Sequence, residues 1–178
     1  MESQRGLTLI ELLIAVAGLT VLCTVAIPCL AGGVEAARGA DARSSLLASL
    51  GTAANRAALT GVRGVLCPSV DGARCADTPD WSGGWIVFLD PNASRERDAG
   101  ETLLLAQPAL AGRVRLRSTA GRTRIVFQGN GGNAGSNVTF TLCDGRGPGK
   151  ARALILSNTG GLRDGVATAE NLEATCVR

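Results

Sequence analysis

The sequence predicts an α+β protein: one long N-terminal helical stem, its first half transmembrane, packed on an antiparallel β-sheet or β-sandwich head. Three observations predict it. Residues 7–30 form an apolar run of 24 residues with Glu11 as the only charge, long enough to cross a hydrocarbon core as helix. Residues 31–58 stay rich in alanine and leucine, with Val34, Leu46, Leu47, Leu50, Ala54 and Ala58 close to helical spacing. After Gly61 the pattern changes to short runs bounded by glycine, asparagine and proline, which reads as strands. The expected organisation is a charged leader over 1–6, a membrane helix over 7–30, the rest of the stem over 31–60, and a β-rich head over 61–178.

The leader and helix start come first. A carboxylate at the depth of Glu11 costs a few kcal/mol on insertion scales, about 2.5–3.5 at the helix centre, so it is kept where it finds a partner. A secretory signal peptide fits worse, because the apolar run is too long and lacks a small-x-small cleavage site at its far end. Arg5, with no basic cluster just after Leu30, places the N-terminus on the cytoplasmic side. Pro28 removes one helical hydrogen bond and loosens the turn before it.

Arg5-Gly6-Leu7-Thr8-Leu9-Ile10-Glu11-Leu12-Leu13 resembles the processing and methylation site of type IV prepilins and type II secretion pseudopilins. The resemblance implies a cut between Gly6 and Leu7 by a prepilin peptidase, N-methylation of Leu7, and pairing of Glu11 with the N-terminal amine of a neighbouring subunit during filament assembly. It also implies that the helix loosens around Pro28 in the filament. The first half of the stem would then lie in the inner membrane or the filament core, and the head in the periplasm.

The remaining stem is expected to continue as helix, with Glu35, Arg38, Asp41, Arg43 and Arg56 on its solvent side. Gly32, Gly33 and Gly39 each weaken it by about 1 kcal/mol relative to alanine, so a bend or a loosened section is expected there. Expected strands are 62–67, 84–90, 102–107, 113–118, 122–128, 137–143 and 152–157, with a last short one near 174–177. Ala120-Gly121 as a two-residue turn would set Leu116 opposite Ile125 and Val114 opposite Phe127, one apolar face against the stem. The other face would carry Arg113, Arg115, Arg117, Arg122 and Arg124, with Arg117 facing Arg124. Between Thr102 and Cys143 these five arginines are the only charges. A solvated strand face explains them, and so does polyanion binding, since arginine clamps phosphate bidentately.

Cysteines fall into two populations. Cys23 and Cys29 lie in the apolar run as small, reduced side chains. Cys67, Cys75, Cys143 and Cys176 lie in the part expected to face an oxidising compartment, where disulfides persist. Four cysteines allow three pairings. Cys67–Cys75 is favoured because the two bracket a turn-rich stretch, and Cys143–Cys176 because it pins the C-terminal tail to a strand.

Leu66-Cys67-Pro68-Ser69, Cys75 and Asp80-Trp81-Ser82-Gly83-Gly84-Trp85-Ile86-Val87-Phe88-Leu89-Asp90 resemble the H-type pseudopilin and FimT-type minor pilin family. The resemblance implies a β-sandwich head in which Trp81 and Trp85 are core anchors. It implies a minor subunit of a type II secretion pseudopilus or of a type IV pilus tip, with other pilin-like subunits as partners. The alternative is a DNA-binding minor pilin for natural transformation. Members of that kind carry a Gly-Arg-x-Arg element near the C-terminus; here Gly161 replaces its first arginine and Arg163 matches the second.

Enzyme chemistry finds no purchase. The chain has no histidine and no tyrosine, and Lys150, its only lysine, sits in a glycine-rich loop. No general base is therefore placed to activate a serine. Asp90, Asn92, Asp98 and Glu101 have the oxygen chemistry of a calcium loop, but Arg95 and Arg97 interrupt them and a polar hairpin loop is the simpler reading. The net charge of +3, from seventeen arginines and one lysine against fifteen acids, is too small by itself to argue for nucleic acid. No cofactor or metal is expected.

Overall fold

The computed structural model describes residues 8–177 other than 131, 134 and 136, and of residues 25–29 the backbone alone. The chain divides into two compact units, Met1–Val34 and Glu35–Arg178.

In the first unit the chain is helical from Leu9, the start of α1 (Leu9–Thr60). Thr8 caps it: its hydroxyl accepts the backbone N–H of Glu11 at 3.3 Å, removing one of the unpaired donors of a helix start. Thr20 and Thr24 donate their hydroxyls back to the carbonyls of Val16 and Val21, so neither leaves a bare polar group on an apolar surface. Leu9, Ile10, Leu13, Ile14, Leu19 and Leu22 are all more than half exposed. The span expected over 7–30 takes in Leu7 and the side chains of 25–29, which lie outside the described residues. Among the described residues no helix is long and apolar enough to cross a membrane.

In the second unit the stem is the ridge on which the head is built. Ala42, Leu46, Leu50, Ala53 and Ala57 are buried to 3% exposure or less, following the four-, four-, three- and four-residue steps of one helix face. Leu47 and Ala54 pack at its margin. Val34 and Ala58, also expected on this face, are exposed. The residues are helical through Gly32, Gly33 and Gly39, so these glycines do not interrupt the helix; a Cβ at Gly39 would press on the Asp144 carboxylate at 2.9 Å. Gly61, with φ 71°, sits just past the end of the helix in the left-handed conformation glycine tolerates best.

Two four-stranded antiparallel sheets follow. β1 (Arg63–Pro68), β2 (Trp85–Asp90), β3 (Leu103–Gln107) and β5 (Ile125–Phe127) form the first, ordered β3-β2-β1-β5. β4 (Arg115–Ser118), β6 (Val138–Cys143), β7 (Arg152–Leu156) and β8 (Leu162–Gly165) form the second, ordered β4-β6-β7-β8. The seven main strands lie where the sequence places them. The eighth does not: residues near 174–177 form a π-helical turn after a short helix, α2 (Ala169–Leu172). Thr168 starts that helix by accepting the N–H of Asn171, a capping signal that outweighs four residues of weak strand character. The eighth strand is β8 instead, whose Leu-Arg-Asp-Gly sequence carries no β-branched residue.

The hairpin expected between the fourth and fifth strands is also absent. Its turn forms, with Arg122 N–H bonded to Thr119 O at 3.0 Å, yet the chain crosses there from one sheet to the other. Leu116 lies opposite Leu142 and Arg117 opposite Thr141, while Ile125 lies opposite Leu66. Val114, Leu116, Ile125 and Phe127 still share one core with the stem. Alternation fixes which side of a strand is buried; it leaves the partner strand open.

Trp85 and Trp81 are fully buried in that core. The Trp85 indole N–H donates to the Ser49 hydroxyl at 2.9 Å, and Ser49 donates on to the Ser45 carbonyl, which ties β2 to the stem. Trp81 stacks edge-on against Phe140 of the second sheet, centroids 5.2 Å apart. Val65, Cys67, Ile86, Phe88 and Val126 form a second buried cluster on the far face of the first sheet. β1 and β2 are therefore apolar on both faces, unlike a half-exposed strand.

Gly64 faces the stem so closely that a Cβ there would overlap the Ala53 carbonyl, whereas a Cβ on Gly51 meets nothing. Gly64→Ala is expected to lose about 1–3 kcal/mol and Gly51→Ala to gain up to about 1 kcal/mol from helix propensity. Urea unfolding of the two variants beside the parent measures both; equal midpoints would contradict the packing.

Candidate functional site

Of the residues expected to direct assembly, Gly6 and Leu7 lie outside the described residues. Glu11 is exposed in the first turn of α1, third after its cap. That position has a local rationale: Thr8-x-x-Glu11 is a capping-box spacing, and a carboxylate in a helix's first turn meets the positive end of its dipole. The backbone is helical at Pro28, and its side chain lies outside the described residues.

The arginines do not form one face. Arg124 is 14% exposed and ties loops together: it bonds Glu96, donates to the carbonyls of Ala76 and Arg95, and lies 3.8 Å from Asp77. Arg122 sits beside it on the crossing between sheets. Arg113 donates to the Gly145 carbonyl at 3.3 Å. Arg115 and Arg117 share the outer face of β4, where Arg117 is 4.0 Å from Asp80 and lies across from Thr141, so the like-charge pair with Arg124 does not exist. Register puts Arg163, on β8 opposite Ile155, on that same outer face of the second sheet, three strands away.

A polar clasp where the stem enters the head escaped the sequence reading. Glu35, expected on the solvent side, is 8% exposed. Its carboxylate pairs with Arg38 at 2.8 Å and accepts the Gly145 backbone N–H at 2.9 Å. Gly145 admits this contact because a Cβ there would strike Glu35 and Arg113. Next to it Asp144, 6% exposed, takes two bonds from the Arg146 guanidinium at 2.9 and 2.7 Å and one from its backbone N–H. Arg146 first, helped by its own backbone N–H and by the charge of Arg152, holds the Asp144 carboxyl below its ordinary value against the opposing effect of burial. Arg43, also expected in solvent, bonds Asp164 of β8 at 2.8 Å. The available signals were Glu35-x-x-Arg38 at helix spacing and the turn Asp144-Gly145-Arg146, both too common to single out.

Both expected disulfides are present. Cys67–Cys75 and Cys143–Cys176 have Cα separations of 5.5 and 5.6 Å, within the ordinary range. The first closes the loop whose Asp71 accepts the N–H groups of Ala73 and Arg74; these bonds and one from Ser69 lower its carboxyl. The second holds the C-terminal π-helical turn against β4 and β6. Cys23 is free and exposed. The loop after β2 is the polar connection expected of it, with buried Asp90 accepting the N–H groups of Ser94 and Arg95.

A long helix whose second half forms the core of a two-sheet head is the build of pilin-type subunits. The minor pilin FimU of Pseudomonas aeruginosa shares the fold, with a TM-score of 0.54 at 16% identity over 75% of this chain and 90% of that one. So does the minor pseudopilin EpsH of the Vibrio cholerae type 2 secretion system, with a TM-score of 0.51 at 14% identity over 72% and 97%. None of the curated proteins compared matches the chain significantly. Residues 42–160 match the type II transport protein GspH, and the chain belongs to that family. As a member of that family it is a pseudopilin-type structural subunit and not an enzyme.

Asp144→Asn is expected to cost about 1.5–3 kcal/mol at neutral pH, the range for hydrogen bonds to charged groups. A carboxyl lowered by folding contributes fully above its unfolded value of 3.8 and loses that contribution as the pH falls through the folded value. Urea unfolding from neutral into acid pH should therefore show parent and variant converging at low pH. A gap independent of pH would contradict the assignment.

Proposed function

We propose that the chain is a minor subunit of a type II secretion pseudopilus or a type IV pilus tip, held in the inner membrane by α1 with its head in the periplasm. In this reading a prepilin peptidase cuts between Gly6 and Leu7, and the new amine of Leu7 is methylated. The subunit then joins other pilin-like subunits through its helix. The observation that carries the reading is the first half of α1: apolar, with large side chains exposed all round it and Glu11 as its one charge. Such a surface must be covered by lipid or by other helices. Glu11 would be neutralised by the N-terminal amine of an adjoining subunit, and Pro28 would let the helix loosen as the subunit leaves the bilayer.

DNA binding gains no support from the arginine positions. Arg117 and Arg124 have carboxylate neighbours, Arg113 is bonded to Gly145, and Arg122 lies off the face that carries Arg115 and Arg163.

The test is N-terminal sequencing of envelope-bound chain, paired with filament incorporation of Glu11→Ala. A methylated chain starting at Leu7 is expected, with the variant retained in the membrane but reduced at least about tenfold in filaments, the effect of leaving a charged partner unpaired. A chain still starting at Met1, or a variant incorporated like the parent, would overturn the reading.

A further inference from the structure

Within the second unit, a groove of about 290 Å³ runs between one side of the stem and the end of the second sheet. Its stem wall carries a row of small side chains, Ala36, Ala40 and Ser44, one per helical turn, flanked by Arg43 and Leu47. A ridge of that kind lets another helix backbone come close. Opposite lie Leu142, which gives the groove an apolar floor, and Asp144, with Arg43, Arg146 and Arg152 around them.

Three guanidinium groups thus face one carboxylate. Arg146 is spent on Asp144, and Arg43 has one nitrogen on Asp164. Arg152 is exposed and has no ion-pair partner among the described residues. The Nε of Arg43 is buried without an acceptor; a buried donor in that state calls for one. Arg43 and Arg152 also line one small apolar cavity beside Leu142, so the two side chains flank the same spot. Asp144 and Asp164 would repel a chain of phosphates, while one or two inserted carboxylates would balance the charge.

We propose that this groove receives an α-helix of a neighbouring, different subunit, which seats a carboxylate between Arg43 and Arg152. The proposal rests on the assembly reading and adds to it the contact face and the chemistry of the partner.

A photo-cross-linking residue at position 40, in the full chain expressed with the other pilin-like subunits of its system, tests it in isolated filaments. The expected cross-link lies in the helical stem of a different subunit, within one turn of an aspartate or glutamate. Arg152→Glu should lower its yield at least about tenfold, the scale for reversing one of a desolvated charge pair, and Arg152→Lys should leave it within about twofold. Retained disulfides and incorporation of both variants show that they fold. A chain present in filaments whose position 40 links to a strand, to a loop, to another copy of itself or to nothing overturns the proposal and leaves assembly standing. So does a yield that ignores Arg152→Glu. A chain absent from filaments overturns both.

Discussion

Ala42, Leu46, Leu50, Ala53 and Ala57 are covered by strands of two different sheets, and every other part of the head takes its position from that contact. Burying one such leucine is worth about 1.5–3 kcal/mol, and Leu46 and Leu50 are both 1% exposed. The alanines matter for a different reason. They let β1 run so close to the helix that Gly64 can hold no side chain, and this closeness brings the Trp85 indole within reach of Ser49. A core shared by a helix and two sheets has no part that can be removed singly. The helix that carries the apolar first unit is therefore also the centre of the second.

Where the stem enters the head, polar chemistry takes over. Glu35 and Asp144 are buried carboxylates, and each has a guanidinium and a backbone N–H as partners. Burial of a charge is tolerated only on those terms. Glu35 ties the turn after β6 to the helix and Asp144 braces that turn from within through Arg146; the turn follows the strand whose Cys143 anchors the C-terminal segment. One short stretch, Cys143-Asp144-Gly145-Arg146, thus links the stem, the second sheet and the tail. Apolar packing sets how near the helix and sheets approach; these directional bonds favour one rotation of the helix against the sheet.

Much of this was legible in the sequence, and the failures share a cause. The apolar run, the long helix, seven strands and both disulfides could be read because each is a local pattern: a length, a period, a bracketed turn. Val114, Leu116, Ile125 and Phe127 were read as buried, and they are. Their pairing was read wrongly, because a tight turn such as Ala120-Gly121 serves a sheet-to-sheet crossing as well as a hairpin. The arginine face followed from that pairing and went with it. Glu35 and Arg43 look like solvent residues on a helix, since only the fold reveals Gly145 and Asp164 across from them. Thr168 hid a helix behind what resembled a last strand. The N-terminal signals stand apart, since Gly6 and Leu7 lie outside the described residues and Glu11, exposed in the first turn, bears on the proposed assembly.

The account depends on residues 42–57 of the stem opening together with the two sheets as one cooperative unit. Native-state hydrogen exchange, followed with increasing denaturant, measures this directly. The amides of Leu46, Leu50 and Ala53 are predicted to exchange with the same opening free energy as those of Leu66 in β1 and Phe140 in β6. Stem amides that exchange freely while both sheets stay protected would contradict it.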